Sequence, residues 1–131
     1  MARLSVVIAD DNDRVLHLVK TALEPQFAIL ALASNGHALI DAVVADAPDA
    51  VVAEVAMPLV DGLDAVRILR AHGYPAPFVM ISTDPDAGAD CLRAGAAAFV
   101  CKANIGRELA QAVFFGVRNV TYAEVVAGQQ S

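Results

Sequence analysis

The sequence is short of basic residues: nine Lys and Arg stand against fifteen Asp and Glu, for a formal net charge of −6. With so few cations the chain offers no broad positive surface to neutralise phosphates, so no direct nucleic-acid partner is expected. Only two cysteines occur, Cys91 and Cys101, and the first residues, Met1-Ala2-Arg3-Leu4-Ser5, run into a short apolar stretch rather than a signal peptide. A reduced, cytoplasmic protein is therefore expected. No apolar run approaches the roughly 20 residues that a membrane-spanning helix needs, so no membrane partner is expected. Hydrolysis loses support from the lack of a Gly-x-Ser-x-Gly elbow and of any Cys and His pairing with a third member. Internal repeats and low-complexity tracts are missing too.

What is present is a strongly apolar chain, 57% apolar and 18% charged over 131 residues. That length suits one domain with one sizeable core, and the composition suits an α/β fold whose central strands are covered on both faces. Leu4 to Ala9 is a short β-branched run that reads as a buried strand and stops at Asp10-Asp11. Asp13 is placed to cap the helix that follows, in which Val15, Leu16, Leu18, Val19, Ala22 and Leu23 recur at helical spacing before Pro25. Phe27 to Ala33 reads as a second strand and His37 to Ala45 as a second helix. A third strand ends at Glu54, and Leu63, Val66, Ile68 and Leu69 recur in a third helix over Leu63 to His72. Phe78 to Ile81 forms a fourth strand, Asp84 to Ala94 an Ala-rich fourth helix, Ala98 to Cys101 a fifth strand and Ile105 to Val117 a fifth helix. Leu109, Ala112, Val113 and Phe115 are its expected packing face. Strands alternating with helices at short spacing predict a (βα)5, doubly wound, five-stranded parallel sheet of the flavodoxin-like kind. The domain is expected over residues 1–117, with 118–131 a tail or the start of a linker to an output domain.

The stretch that organises this layout is Ala50 to Gly62, AVVAEVAMPLVDG. An apolar strand that breaks off at an acid puts the acid at the carboxyl edge of the sheet, where open α/β sheets gather ligands. The same topology brings Asp10, Asp11, Glu54, Ser82 and Lys102 to that edge. Like charges about 4 Å apart cost roughly 1 kcal/mol even in water, so a positive group must accompany the acids. Lys102 and a hard divalent cation such as Mg²⁺ are both candidates. Simpler roles stand beside these: Asp10 and Asp11 as acids at a helix start, Ser82 as a helix-capping hydroxyl. His17, His37 and His72 have no ligand-spaced partners and read as surface residues, and Cys91 and Cys101 read as packing.

The order apolar run, acid, Met57-Pro58, Asp61-Gly62, framed by Asp10-Asp11 before and Ser82 and Lys102 after, resembles the response-regulator receiver domains of two-component signalling over about residues 4 to 117. The resemblance implies that Asp10, Asp11, Glu54 and the Ala56 carbonyl hold Mg²⁺. It also implies that Ser82 and Thr83 face the phosphoryl site, that Phe99 is the switch aromatic, and that Lys102 is the neutralising lysine. The phosphoacceptor position, an aspartate in the family, holds Glu54. One extra methylene moves the carboxylate roughly 1.5 Å outward, partly imitating a phosphorylated aspartate. It also spoils in-line attack, where misplacement by about 1 Å can cost on the order of 10²-fold. Thr83 stands where the family usually has Ala or Gly, and its bulk narrows access for a donor. Ala103 stands where Pro is frequent.

The resemblance thus implies an atypical, non-catalytic and phosphorylation-independent signalling module, not an enzyme. Its partners would be a histidine kinase or another signalling protein, with a homodimer through the fourth helix, fifth strand and fifth helix also in view. Mg²⁺ binding would be weakened or lost if Lys102 pairs with Glu54. Two other functions remain open: an ordinary Mg²⁺-dependent receiver half of a helix-turn-helix transcription regulator, and a flavodoxin-like cofactor binder. The second is disfavoured because Asp10-Asp11 replaces the Gly-rich loop that phosphates want.

Overall fold

In the computed structural model, which describes residues 3–118, five strands alternate with five helices. The strands are β1 (Leu4–Ala9), β2 (Phe27–Ala33), β3 (Ala50–Glu54), β4 (Phe78–Ser82) and β5 (Ala98–Cys101). The helices are α1 (Asp13–Leu23), α2 (Gly36–Asp46), α3 (Gly62–Ala71), α4 (Gly88–Ala94) and α5 (Ile105–Val117), and a 3₁₀ turn over Lys102–Asn104 precedes α5. The strands pair in parallel in the order β2-β1-β3-β4-β5, as the alternation predicts. The expected tail, with its Tyr122 to Val126 segment, lies outside the described residues beyond Arg118.

Two packed layers of side chains hold the sheet. Side chains alternate across a strand, so Val6, Ile8 and Val52 face one side with Val79, Ile81 and Val100, against α1 and α5. Val7, Ala9, Val51 and Ala53 face the other with Phe78 and Met80, against α2, α3 and α4. Burial on both faces is the reason the central strands read as unbroken apolar runs.

The helices depart from the spacing-based reading where an apolar residue falls beyond the stripe that meets the sheet. Leu16, Val19 and Leu23 of α1 are buried while Leu18 is 49% exposed, and on α3 Ile68 is exposed while Ala65, Val66 and Leu69 are buried. On α5 the inward set is Ile105, Leu109, Ala112, Val113 and Gly116. Phe115 is only half-buried there, and Gly116 instead lies against Pro77 and Ala97. The residue capping α1 is Asn12, not Asp13: its side chain accepts from the Arg14 and Val15 amides.

Helix α4 starts at Gly88 rather than Asp84 because the segment before it closes on itself. Ser82 Oγ accepts from Asp84 N at 3.0 Å and Asp84 Oδ1 from Asp86 N at 2.9 Å. These local bonds compete with the helix. Ser82 therefore ends β4 and caps a turn, while α4 has no side-chain cap. All three histidines are exposed, as expected; Cys91 is buried and Cys101 only half-buried.

Leu23 is fully buried and Leu18 is not, so the two should separate in urea unfolding. Leu23→Ala is expected to lower stability by about 2–5 kcal/mol, and Leu18→Ala to stay within about 0.5 kcal/mol of the parent.

Candidate functional site

At the carboxyl edge, β1 does not stop cleanly at Ala9. The Asp10 amide donates to the Ala33 carbonyl at 3.0 Å, extending the ladder with β2 by one residue and keeping Asp10 fully buried. Asp11 is the first residue out of the sheet and is exposed. Asp10 Oδ1 accepts from Asn12 N at 2.8 Å, which turns the chain into α1.

Glu54 closes β3 and is 9% exposed. The Val55 amide donates to its Oε2 at 3.1 Å and the Gly62 amide to the Val55 carbonyl at 2.7 Å, so the loop after β3 folds back on the strand end. Gly62 is required here, because a Cβ would run into the Glu54 carbonyl and Met80. Within the loop Leu59 has φ +68° and is 82% exposed, a left-handed backbone that a leucine adopts at some cost. Nothing in the residue type signals that conformation; the role of Gly62 was legible only as half of the Asp61-Gly62 pair.

Lys102 completes the cluster. It follows β5 directly, and its Nζ lies 2.9 Å from Asp10 Oδ2 and donates to Glu54 Oε1 at 3.0 Å. Because β4 lies between β5 and β3, only a long, unbranched stem ending in a compact charge can cross to both acids. The contact with Asp10 is close but poorly angled, and Oδ2 is left without a hydrogen bond.

The pair looks different from its two ends. Burial alone would lower the Lys102 pKa, but the close contacts with Asp10 and Glu54 and the attraction of both charges outweigh it and hold the amine above its ordinary range. For Glu54, burial raises the carboxyl above 4.5; Lys102 pulls it back, and the neighbouring charge of Asp10 pushes it up again. One ammonium shared between two buried carboxylates compensates the lysine more fully than either acid.

The remaining site candidates are placed as follows. Ser82 is buried at the end of β4, one residue past Ile81, whose carbonyl accepts from Val55 N at 3.0 Å. Thr83 and Ala56 are exposed. Phe99 is half-buried against the α2–α4 side of the core, its ring 3.2 Å from where a Cβ on Gly88 would stand. Neither cysteine joins the cluster, and burial pushes the Cys91 thiol up to about 11.

The arrangement does not fit a divalent cation held by Asp10, Asp11, Glu54 and Ala56. Mg²⁺ demands near-ideal octahedral oxygen geometry. Here the acids that converge are already bridged by an ammonium, and Asp11 stays exposed outside the cluster. Among the described residues no group of three or more His, Cys, Asp or Glu is gathered to hold a metal. Lys102 is the positive group that accompanies the acids here.

Comparison with known proteins identifies the architecture. Residues 6–114 match the response regulator receiver domain. A protein-glutamate methylesterase/protein-glutamine glutaminase from a Nocardioides species is 36% identical over 113 residues, which are 81% of this chain and 31% of that protein. The signal receiver domain of the response regulator NarL from Mycobacterium tuberculosis superposes with a TM-score of 0.84 at 25% identity, covering 90% of this chain and 98% of that one. The response regulator domain of Thermotoga maritima CheB gives 0.80 at 19% identity, covering 88% and 97%.

The chain thus spans less than a third of the length of the first methylesterase relatives it matches. These relatives correct one sequence-based expectation: proteins sharing this domain carry the name of an enzyme, so the reading of the chain as not an enzyme does not stand. No helix among the described residues is long and apolar enough to cross a membrane.

Removing Lys102 should expose the cost of the two acids it joins. Lys102→Met leaves both carboxylates buried without a cation, and unfolding at neutral pH is expected to show a loss of about 3–5 kcal/mol. The sign with pH follows from Glu54: its folded pKa is raised, so its contribution is full below 4.5 and declines as pH rises through the folded value. The Lys102→Met deficit should therefore shrink on acidification, and Glu54→Gln should flatten the pH dependence of stability above 4.5.

Proposed function

The chain belongs to the response regulator receiver domain family, and on that premise we propose that it is a two-component signalling module whose state does not depend on phosphorylation. It works through contacts with a histidine kinase or another signalling protein. The observation that carries this reading is the Lys102 ammonium held between Asp10 and Glu54. Glu54 stands at the acceptor position and already delivers a carboxylate to the lysine, so the negative charge that phosphorylation would add is supplied by the sequence itself. The longer side chain also spends one oxygen on Lys102 and the other on the Val55 amide. A nucleophile with both oxygens engaged is poorly placed to attack a donor, and exposed Thr83 adds bulk on the approach.

In this reading Ser82 and Phe99 keep the positions through which the site would speak to the rest of the domain, and α4, β5 and α5 form the face offered to a partner or to a second copy. The residues after α5 would lead to an output domain, for which a helix-turn-helix regulator and a catalytic domain of the methylesterase kind are both compatible.

A second reading, an ordinary Mg²⁺-dependent receiver, is favoured by one detail: the unspent lone pair on buried Asp10 Oδ2. Intact-mass spectrometry after incubation with acetyl phosphate and Mg²⁺ separates the two. The parent protein is expected to gain no phosphoryl group, Glu54→Asp to gain one, and Glu54→Asp combined with Lys102→Ala to gain it at least tenfold more slowly. A stoichiometric phosphoryl adduct on the parent, lost in Glu54→Gln, would establish the second reading instead.

A further inference from the structure

Away from the acid site, a groove of about 500 Å³ runs along α5, between it and the first residues of β1 and β2. Arg107, Ala110, Gln111 and Phe114 form its helical wall, and Leu4, Gln26 and Phe27 the facing one. The four α5 positions are spaced as one helix face, about 10 Å long at 1.5 Å per residue. No residue of α4 or β5 lines it.

The charge around the groove is of one sign. Phe114 is 39% exposed, and the Arg118 guanidinium lies 4.2 Å from its ring centroid, within reach of a cation–π attraction. Arg107 is exposed and, among the described residues, donates only to Asn104 Oδ1 at 2.7 Å. The rest of its fork is therefore left for a carboxylate. Arg3, next to Leu4 in the sequence, is exposed as well and donates to the Glu24 carbonyl at 3.1 Å. Three of nine basic residues thus gather at one groove in a chain of net charge −6. Among the described residues no acid lines it, and the Glu24 carboxylate beyond Gln26 faces Lys20 at 3.8 Å.

An exposed aromatic ring beside arginines is the combination that anchors protein contacts, and the amides of Gln26 and Gln111 can meet a backbone or a polar side chain. A groove along a helix suits an amphipathic segment laid in by its apolar face. A second copy is the poorer match: joined face to face here, two copies would set arginine against arginine with no lining acid to answer them.

We propose that this groove docks an acidic amphipathic segment of another polypeptide, with bulky apolar side chains on Leu4 and Phe114 and a carboxylate on Arg107. The surface is separate from the acid cluster and does not depend on how Glu54 is read.

Selection from a random twelve-residue peptide library against the immobilised full chain tests this without presupposing a sequence. Enriched peptides are expected to combine Asp or Glu with bulky apolar residues. In fluorescence anisotropy the most enriched peptide should bind Arg107→Glu at least tenfold more weakly than the parent, and Gln111→Glu should weaken it in the same direction. Both positions are exposed, so both variants should keep the parent's circular dichroism. Replacing the peptide's acid by Lys should recover binding to Arg107→Glu. An absence of enrichment, or peptides whose affinity is indifferent to Arg107 and Gln111, would overturn the proposal. So would a doubled mass of the parent in solution that Arg107→Glu returns to the monomer, which would assign the groove to a second copy.

Discussion

One buried amine carries the arrangement at the sheet edge. Asp10 is fully buried and Glu54 nearly so, and two carboxylates in so little water would repel strongly without a cation. Lys102 supplies it, at 2.9 Å and 3.0 Å from the two acids. The three residues come from β1, β3 and the turn after β5, so no local sequence rule unites them; the parallel order β2-β1-β3-β4-β5 does. The loop after β3, held by the Val55 and Gly62 amides, fixes Glu54 where the lysine can reach it.

That constraint decides how the site differs from the pattern its family implies. An aspartate at position 54 would stop about one bond length short, leaving the lysine free to answer a phosphoryl group. Glutamate closes the distance. The electrostatics record the consequence: Lys102 is held charged, while Glu54 tolerates its own charge with some strain because one ammonium serves two anions. In this arrangement the lysine is already engaged by both carboxylates.

Much of this was legible in the sequence, for a physical reason. Strands buried on both faces must be continuous apolar runs, and Val6 to Ala9 and Ala50 to Ala53 announce themselves that way. The acids and the lysine fall directly after such runs, so their edge location followed once the alternation was seen. Adjacent aspartates, in contrast, are indistinguishable by type. Only the extra ladder bond from the Asp10 amide to Ala33 turns one inward and leaves Asp11 outside. Capping was misassigned by one residue because Asn12 and Asp13 are both good caps. Leu18 and Ile68 sit at helical spacing yet lie beyond the buried stripe. The late start of α4 came from side-chain bonds of Ser82 and Asp84 that outcompete the helix. The left-handed Leu59 had no signal at all.

The most direct test of the central claim is a carbon-detected NMR pH titration of the Glu54 side-chain carboxyl in the parent protein and in Lys102→Met. A carboxyl that titrates above 4.5 in the parent and moves further upward when the amine is removed is the predicted result. A Glu54 that titrates at its ordinary value and is indifferent to Lys102 would contradict the account.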